Sequence, residues 1–379
     1  MTINIPFNKP FLAGNELKYI QEAVTSGKIS GDGLFTQKCH LFFEQKYSFK
    51  KCLLTTSCTD ALEMAAILID IKQGDEVIIP SYTFVSTANA FVLRGAKIIF
   101  ADSCKDNPNI DAAKIEQLIT DKTKALVVVH YAGIACDMDK IMALAGKHNL
   151  FVVEDAAHSI DSFYKGRPLG SIGHLAAFSF HETKNIMSGE GGMLVINDSK
   201  FNERAEIIRE KGTNRSKFFR GEIDKYGWVD VGSSFLPSDI IAAFLYAQLE
   251  KLEDIQKKRL QLWDYYQQAL APLAAKGKID LPVLPEYATN NAHMFFVRTK
   301  SLDERNDLLA AFKQQGIWAV FHYLSLHKSD FYAGKYGNVE LPNADLFADT
   351  LVRLPFYYEL QKADQEKVVN TLFHFYKSR

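Results

Sequence analysis

Short apolar runs alternate with amphipathic helical patterns through the first half of this chain. The apolar runs start at Cys52 and recur at 77–79, 97–101, 125–129 and 151–153, and the helical patterns lie at 61–71, 86–93, 112–119 and 138–148. Such alternation is typical of an α/β fold with a mostly parallel central sheet covered by helices on both faces. Ligands bind at the carboxyl ends of the strands in such sheets. We therefore expect the functional residues directly after the apolar runs.

The composition argues against several classes of function. The 379 residues carry a formal net charge of −1, so no overall basic field attracts nucleic acid. Five cysteines are scattered without a C-x-x-C pair, which argues against a disulfide framework and structural zinc. The first residues, MTINIPFNKPFLAG, lack the pattern of a secretory leader, and no apolar stretch reaches the length of a membrane span. We expect a soluble cytoplasmic protein that binds no metal, membrane or nucleic acid.

The remaining patterns predict two domains. Helical patterns at 15–25 and 36–49 precede the alternating part, and one at 200–211 follows it. A charged, glycine-bearing loop at 212–234 and a long helical pattern at 238–273 come next. The last patterns are strands at 293–297 and 318–323 and helices at 302–315 and 364–376. We predict a large α/β domain over residues 1–249 and a smaller α+β domain over residues 250–379.

The segment Thr55-Thr56-Ser57-Cys58-Thr59-Asp60 predicts a helix start that binds phosphate. It follows an apolar run and opens a helical pattern. Small hydroxylated residues at such a junction leave the first helical N–H groups free at the positive end of the helix dipole, where phosphate binds well. On this segment alone, an ordinary N-cap by Ser57 or Thr59 explains the pattern equally.

Two more polar residues stand at the ends of apolar runs. Asp155 ends the run FVVED, where a carboxylate is costly unless a cation pairs with it, and Ser179 ends the run LAAFS. The two side chains are therefore predicted at the same edge of the sheet. For Asp155 the alternative is a helix cap or a surface acid.

A single lysine, Lys184, lies in the polar loop that follows Phe180. The loop closes on Gly189-Glu190-Gly191-Gly192, whose glycines indicate that backbone segments approach closely. A lysine enclosed by apolar walls has a lowered pKa, and its neutral amine is a nucleophile. The alternative is a solvated loop lysine beside a glycine turn.

These groups match the requirements of pyridoxal 5'-phosphate. This cofactor needs an amine for its aldehyde, a carboxylate for its ring nitrogen and an anion site for its phosphate. In order and motifs the chain resembles the sugar-nucleotide aminotransferases of the DegT/DnrJ/EryC1/StrS family, which have the type I fold of pyridoxal-phosphate enzymes. The resemblance covers nearly the whole chain through TTSCTDALEMA, PSYTFVSTANAF, VVEDAAHS, FSFHETKN, GEGG, SDIIAAF and HYLSLH.

The resemblance implies a role for each matching residue. Lys184 bonds to the cofactor aldehyde, and Asp155 is the partner of the ring nitrogen. The other implied cofactor contacts are the helix start with Ser57, Cys58 and Thr59, the hydroxyl of Ser179, the ring of Phe84 and, near the 3-oxygen, His158. The implied substrate contacts are His322 and His327, with Tyr323 and His293 beside them. The alternatives are a core aromatic for Phe84, a satisfied helix-start histidine for His158, and structural roles for Tyr323 and His293.

Three positions depart from the common pattern of the family. Cys58 replaces the usual glycine of the phosphate site, and His158 stands where many members have glutamine. The asparagine that many members send across a dimer interface is replaced near Ser233-Ser234. Related enzymes that dehydrate sugars replace the lysine by histidine, so the presence of Lys184 favours amino transfer.

The resemblance also implies a homodimer with shared active sites, with glutamate as amino donor and a nucleotide-linked sugar as acceptor. The segments TTSCTDALEMA, HYAG and KGTNRS resemble members that aminate C4 of thymidine-diphosphate 4-keto-6-deoxyglucose for a surface polysaccharide. One alternative is amination at C3 of a 3-keto sugar, and another is a non-catalytic regulator that binds the cofactor or a sugar nucleotide. A third is a nucleotide-binding enzyme without pyridoxal phosphate, such as a glycosyltransferase, which the lack of a G-x-G-x-x-G after a strand disfavours.

Overall fold

The structure is a computed structural model that describes residues 3–377. Its strands are β1 (Cys52–Thr55), β2 (Glu76–Pro80), β3 (Lys97–Ala101), β4 (Thr123–Val129), β5 (Phe151–Asp155), β6 (Phe163–Tyr164), β7 (Arg167–Pro168), β8 (Leu175–Ser179), β9 (Gly192–Ile196), β10 (Phe296–Arg298) and β11 (Leu351–Arg353). Its helices are α1 (Glu16–Thr25), α2 (Leu34–Tyr47), α3 (Cys58–Leu68), α4 (Val85–Val92), α5 (Met138–His148), α6 (Asn202–Arg209), α7 (Arg215–Phe219), α8 (Asp239–Leu249), α9 (Leu252–Ala275), α10 (Leu302–Gln314), α11 (Asp330–Tyr336), α12 (Pro342–Thr350) and α13 (Lys362–Lys377). No helix in this described part has both the length and the apolar character that crossing a bilayer requires.

Seven strands form the central sheet in the order β1-β9-β8-β5-β4-β2-β3. The neighbours from β8 to β3 pair in parallel, whereas β9 runs antiparallel to both β8 and β1. The predicted α/β fold with a mostly parallel central sheet is therefore confirmed.

Helices cover both faces of this sheet because successive side chains of each strand point to opposite sides. In β4, Val127 packs into a core with α3 and α4, and the next residue, Val128, packs into a core with α5. Both valines are fully buried. The continuous apolar runs of the sequence thus correspond to strands that have no solvent-facing side.

A smaller unit follows the central sheet along the chain. Its two-stranded sheet pairs β10 with β11 in antiparallel register, and its core contains side chains from α9, α10 and α13. The N-terminal segment joins this unit, because Ile5 is buried in the same core and pairs with Ile317. The backbone N–H groups of Asn4 and Ile5 both donate to the carbonyl of Gly316.

Three predicted elements are wrong in detail. The helix expected at 112–119 is two 3₁₀ turns, Ala112–Lys114 and Glu116–Leu118, because so short a segment has little helical stability of its own. The helix expected at 238–273 is divided, since Lys251 adopts φ −107° and ψ 9° between α8 and α9. The amphipathic pattern continues across this break, so the sequence does not reveal it. The break falls beside the proposed domain boundary at residues 249 and 250.

The strand expected at 318–323 is the third error. Only Val320 pairs there, in an isolated bridge with Arg353, and no further strand lies beside the segment within residues 3–377. Trp318 and Phe321 remain 53% and 44% exposed, so their apolar character does not mark a buried strand face. No pattern in the sequence predicted α11, α12 or the hairpin of β6 and β7.

Candidate active site

A cavity of about 550 Å³ lies at the carboxyl ends of β2, β4, β5 and β8. Its lining includes Ser57, Cys58, Thr59, Thr83, Phe84, Ser86, Asp155, His158, Ser179, His181, Lys184, Glu190, His293, His322, Tyr323 and Arg353. Every predicted site residue except His327 belongs to this set. The large sheet and the smaller unit both contribute side chains, so the cavity lies between them.

Lys184 is carried by the loop that connects β8 to β9. The two strands pair from Leu175 and Ile196 to Ser179 and Gly192, which anchors the loop at both ends. Burial lowers the pKa of Lys184 from 10.5 to about 8, and the positive charge of Arg353 acts in the same direction. At pH 8, Lys184 is therefore the neutral, nucleophilic amine in about half of the molecules. This environment excludes the interpretation as a freely solvated loop lysine.

Asp155 ends β5 with its carboxylate buried, so it is not a surface acid. The Thr87 hydroxyl donates to Oδ2 over 2.7 Å, and the backbone N–H of Ala157 donates to Oδ1 over 3.1 Å. Burial raises the pKa of Asp155, whereas the hydrogen bond from Thr87 lowers it. The hydrogen bonds to this carboxylate thus come from neutral donors, and burial still disfavours its negative charge. A positively charged ligand atom beside it would stabilise that charge.

The start of α3 forms a second wall of the cavity. Ser57 is the N-cap, and its hydroxyl oxygen accepts from the N–H of Asp60 over 3.1 Å. The N–H groups of Cys58 and Thr59 have no partner inside the helix and stand at the positive end of its dipole. The N-cap interpretation and the anion-site interpretation are therefore compatible, since they use different groups.

Gly192 allows the lysine hairpin to approach this helix start. A Cβ at Gly192 would lie 2.3 Å from the carbonyl carbon of Ser57 and 2.4 Å from the nitrogen of Cys58. No side chain fits at that distance, so the glycine is required by the close packing of two backbones. The hydroxyl of Thr59 donates to Ser86 over 2.8 Å, which ties the same helix start to α4.

Three histidines form a column along the cavity. The rings of His158 and His293 stack with centroids 4.3 Å apart, and His322 lies 6.0 Å from His158. Burial lowers the pKa of all three well below the usual histidine value. The column is therefore neutral near pH 7.

Hydrogen bonds fix the orientation of these rings. Nδ1 of His158 accepts from the N–H of Ala132 over 3.2 Å, so its proton is on Nε2, which lies 3.4 Å from the Tyr323 hydroxyl. His158 lies in a turn after β5, so it is not the helix-start histidine of the alternative interpretation. Nδ1 of His293 lies 2.8 Å from the amide oxygen of Asn185.

Aromatic rings form the mouth of the cavity. Phe84 is 56% exposed, which excludes its interpretation as a core aromatic. Its ring lies 6.1 Å from that of Tyr323, which stacks on His322 at 3.6 Å. A flat ligand ring can therefore bind against Phe84 without displacing the core.

His327 does not line this cavity. It is 1% exposed, its Nδ1 lies 2.7 Å from the Ser81 hydroxyl, and its Nε2 lies 3.5 Å from Asp345. These contacts connect β2 to the smaller unit, so we leave His327 out of the proposed substrate contacts.

Sequence reasoning missed Arg353, which lines the cavity, and Thr87, which does not line it but bonds to the Asp155 carboxylate. Thr87 belongs to a helical pattern in which nothing distinguishes it from other polar positions, although it holds Asp155. Arg353 ends a short strand in the segment VRLPF, and only the folded chain brings it beside Lys184. No local motif marks either residue.

The lining side chains fit pyridoxal phosphate. Its aldehyde needs a neutral amine, its ring nitrogen a buried carboxylate, and its phosphate a set of free N–H groups. Lys184, Asp155 and the start of α3 supply these three groups within one cavity. The volume lies in the range of about 300–1,000 Å³ that is common for small-molecule sites.

This fold and this site together define a pyridoxal-phosphate enzyme of fold type I. Comparison with known proteins gives the family: the chain belongs to the DegT/DnrJ/EryC1/StrS aminotransferase family, whose model matches residues 10–373. The predicted family and the predicted aminotransferase class are thus confirmed.

Solved structures of the same kind match over nearly the whole chain. Spr1654 of Streptococcus pneumoniae, described as a sugar aminotransferase, is 25% identical with a TM-score of 0.91, and the match covers 99% of this chain and 98% of that one. TlmJ of Streptoalloteichus hindustanus is 26% identical with a TM-score of 0.90 and full coverage of both chains (100%). DesV of S. venezuelae is 29% identical with a TM-score of 0.87 and 99% coverage of each chain. Spr1654 was solved in PLP and PMP forms, in agreement with the cofactor expected here.

Proposed function

We propose that this protein transfers an amino group from glutamate to C4 of thymidine-diphosphate 4-keto-6-deoxyglucose, with pyridoxal phosphate as cofactor. The observation that carries the amino-transfer part is the presence of Lys184 and Asp155 in one cavity beside a free helix start. The sugar is supported by the family and by the description of Spr1654 as a sugar aminotransferase. The position C4 and the nucleotide rest on the segments TTSCTDALEMA, HYAG and KGTNRS.

Each residue on the cofactor side of the cavity has a distinct proposed role. Bound here, pyridoxal phosphate would supply an aldehyde carbon that takes up the amino group and a ring that accepts electrons. Lys184 Nζ holds the cofactor and moves a proton, first from the α-carbon of the donor and later to the amino-bearing carbon of the sugar. The Asp155 carboxylate keeps the ring nitrogen protonated, and the N–H groups of Cys58 and Thr59, with the hydroxyls of Thr59 and Ser179, hold the phosphate.

The proposed contacts of the sugar lie on the other wall. His322 and Tyr323 face the cavity from the segment before α11, and His293 and His158 continue this wall inward. Because burial keeps these histidines neutral, they can recognise hydroxyl and carbonyl groups without adding charge.

Direct assay tests this function. Purified enzyme is incubated with glutamate and thymidine- or uridine-linked 4-keto and 3-keto sugars, and the products are identified by NMR. We expect turnover to be best with the thymidine-linked 4-keto sugar and to be abolished in Lys184→Ala, while the control Lys165→Ala, which changes an exposed lysine on the β6–β7 turn, remains active. Better turnover of a 3-keto sugar would assign C3, and cofactor binding without any turnover would favour the regulator.

We also propose that the protein acts as a homodimer in the cytoplasm. The loop at 212–234 presents Phe219 and Trp228, which are 68% and 83% exposed in the single chain. Large exposed aromatics on one segment are typical of an interface with another protein. All five cysteines are free thiols, which agrees with a reducing compartment. An active monomer in sedimentation would contradict the dimer.

A further inference from the structure

The side chain of Asn185 connects the lysine loop to the histidine column. Asn185 directly follows Lys184, and its amide nitrogen donates to the backbone carbonyl of Asn291 over 2.9 Å and to Oε1 of Gln256 over 2.8 Å. A backbone carbonyl can only accept, so the nitrogen and the oxygen of this amide cannot exchange places. The amide oxygen therefore faces Nδ1 of His293, at a distance of 2.8 Å.

This fixed amide determines which nitrogen of the His293 ring carries the proton. Because the amide oxygen can only accept, Nδ1 of His293 must be the donor. Burial lowers the pKa of His293 well below its ordinary value, and the charges of His158 and Lys184 act in the same direction. The ring therefore holds a single proton near pH 7, on Nδ1, and Nε2 is left as an acceptor.

This acceptor is available to a ligand. Among residues 3–377, no group bonds to Nε2 of His293, and the atom keeps accessible surface in the cavity that the ring lines. The ring stacked on it has the opposite polarity, since His158 accepts from Ala132 at Nδ1 and carries its proton on Nε2. Two adjacent rings of the column thus present one donor and one acceptor.

The backbone around His293 is fixed as firmly as its ring. Arg259 donates from Nε to the carbonyl of Ala292 over 3.0 Å and from Nη2 to the carbonyl of His293 over 2.6 Å. The N–H of His293 donates to the side-chain oxygen of Asn291 over 3.1 Å. The side chains of Asn185, Arg259 and Asn291 are all buried. A buried polar network whose members are bonded in this way is rigid, so the direction of Nε2 is set before any ligand binds.

We propose that Asn185 is a positioning residue that holds His293 in its Nδ1-protonated form, so that Nε2 of His293 accepts a hydrogen bond from the sugar hydroxyl next to the reacting carbon. The proposal rests on the proposed function and adds to it the recognition of one hydroxyl group.

The position of His293 favours this hydroxyl over the others of the sugar. Lys184 must reach the reacting carbon, and His293 is bonded to the residue that follows Lys184 and feels the charge of its amine. When C4 reacts, its neighbour C3 carries a hydroxyl, whereas C5 carries the ring oxygen and the methyl group. Only the hydroxyl can donate to an acceptor nitrogen. The partner of Nε2 is therefore the hydroxyl at C3.

The first test reads the position of the proton directly. The holoenzyme is labelled with ¹⁵N-histidine, and NMR shows which ring nitrogen is protonated, with the signals of His293 assigned by their loss in His293→Gln. We expect wild type to carry the proton on Nδ1. Asn185→Asp, which keeps an acceptor oxygen, should retain this form, whereas Asn185→Leu should shift the proton at least partly to Nε2.

The second test measures recognition of the hydroxyl. The values of kcat/KM are compared for the thymidine-linked 4-keto-6-deoxy sugar and for its analogue without the 3-hydroxyl. We expect wild type to prefer the natural sugar about tenfold or more, and His293→Leu to reduce this preference to within about threefold. His293→Gln should recover part of it, because its amide oxygen can occupy the place of Nε2. The control His148→Leu, which changes a histidine beside Glu116 on α5, should behave as wild type.

The glutamate half-reaction, followed by cofactor absorbance, separates this role from a general loss of activity. We expect its rate in His293→Leu to stay within about threefold of wild type, because the proposed contact is to the sugar.

Three results would overturn the proposal: a proton on Nε2 of His293 in wild type, an unchanged preference for the 3-hydroxyl in His293→Leu, and a loss confined to the glutamate half-reaction. If Asn185→Leu does not fold, the wild-type spectrum and the His293 variants still decide. Failure of the proposed function is distinct from these results, since wild type would then turn over neither sugar.

Discussion

Lys184 and Asp155 line one cavity, and each favours the charged form of the other. Burial is the larger influence on both pKa values, lowering that of Lys184 to about 8 and raising that of Asp155. Near pH 8 the Lys184 amine is thus partly neutral, and the buried Asp155 carboxylate favours a cationic partner, so a cofactor bound in this cavity would be met by an amine and a carboxylate.

The pKa of Lys184 predicts the pH dependence of cofactor capture. Only the neutral amine attacks an aldehyde, so the rate at which apoenzyme captures pyridoxal phosphate should rise about tenfold per pH unit below pH 8 and level off above it. Stopped-flow absorbance measures the rate, and Nα-acetyl-lysine amide serves as the reference with a midpoint near the ordinary value of 10.5. A protein midpoint equal to that of the reference would show that burial does not activate Lys184.

Thr87→Val should shift the acid side of the pH–rate profile. The Thr87 hydroxyl bonds to the charged form of Asp155 over 2.7 Å, so its removal raises the pKa of Asp155 further. The carboxylate is then protonated at a higher pH. As the pH is lowered, we expect the variant to lose activity at a pH about one unit higher than wild type does. Thr83→Val is the control, because Thr83 bonds to Thr87 over 2.9 Å but not to Asp155. Identical profiles for Thr87→Val and wild type would remove Thr87 from this role.

Gly192→Ala should weaken cofactor binding. The added Cβ meets the backbone of Ser57 and Cys58, which must move away from the hairpin and displace the N–H groups proposed to hold phosphate. We expect the cofactor Kd to rise about tenfold or more, measured by equilibrium dialysis. Gly146→Ala is the matched control, since Gly146 lies in α5 with open space around it and should gain about 0.5–1 kcal/mol of stability. Equal affinity in both variants would argue against a phosphate site at this helix start.

Trp228→Ser should weaken the proposed dimer. A tryptophan that is 83% exposed in the single chain becomes a candidate anchor if a second copy covers it. We expect the dimer dissociation constant to rise about 30-fold in sedimentation experiments. Trp318→Ser, which removes a 53% exposed tryptophan outside this loop, should leave it unchanged. If both variants sediment as wild type, the loop at 212–234 is not the interface.

The sequence predicted the parts of the site that depend on local pattern. Asp155 and Ser179 follow apolar runs, and the geometry of a parallel sheet brings the ends of such runs together. Lys184 was recognisable because one lysine stands between two strand patterns and a glycine cluster. Each of these signals lies within a few residues of the side chain concerned.

The remaining parts depend on contacts between distant segments. Arg353 reaches the cavity only because β11 pairs with β10, and Phe7 of the N-terminal segment packs against its guanidinium. His327 lies in the same motif as His322, yet its neighbour Ser81 turns it away from the cavity, and no spacing along the chain encodes that difference. The break at Lys251 is hidden for a similar reason, since both helices keep an apolar face toward different partners.

The antiparallel direction of β9 means that the backbones of the two cavity walls are anchored differently. Because the chain returns along β9, the reactive amine is fixed to the rigid sheet at both ends of its hairpin. His322 and Tyr323, in contrast, belong to a segment between Val320 and α11 in which Val320 makes a single bridge to Arg353. Any rearrangement that admits the proposed sugar nucleotide is therefore expected in the segment of His322, since the loop of Lys184 is tied to paired strands at both ends.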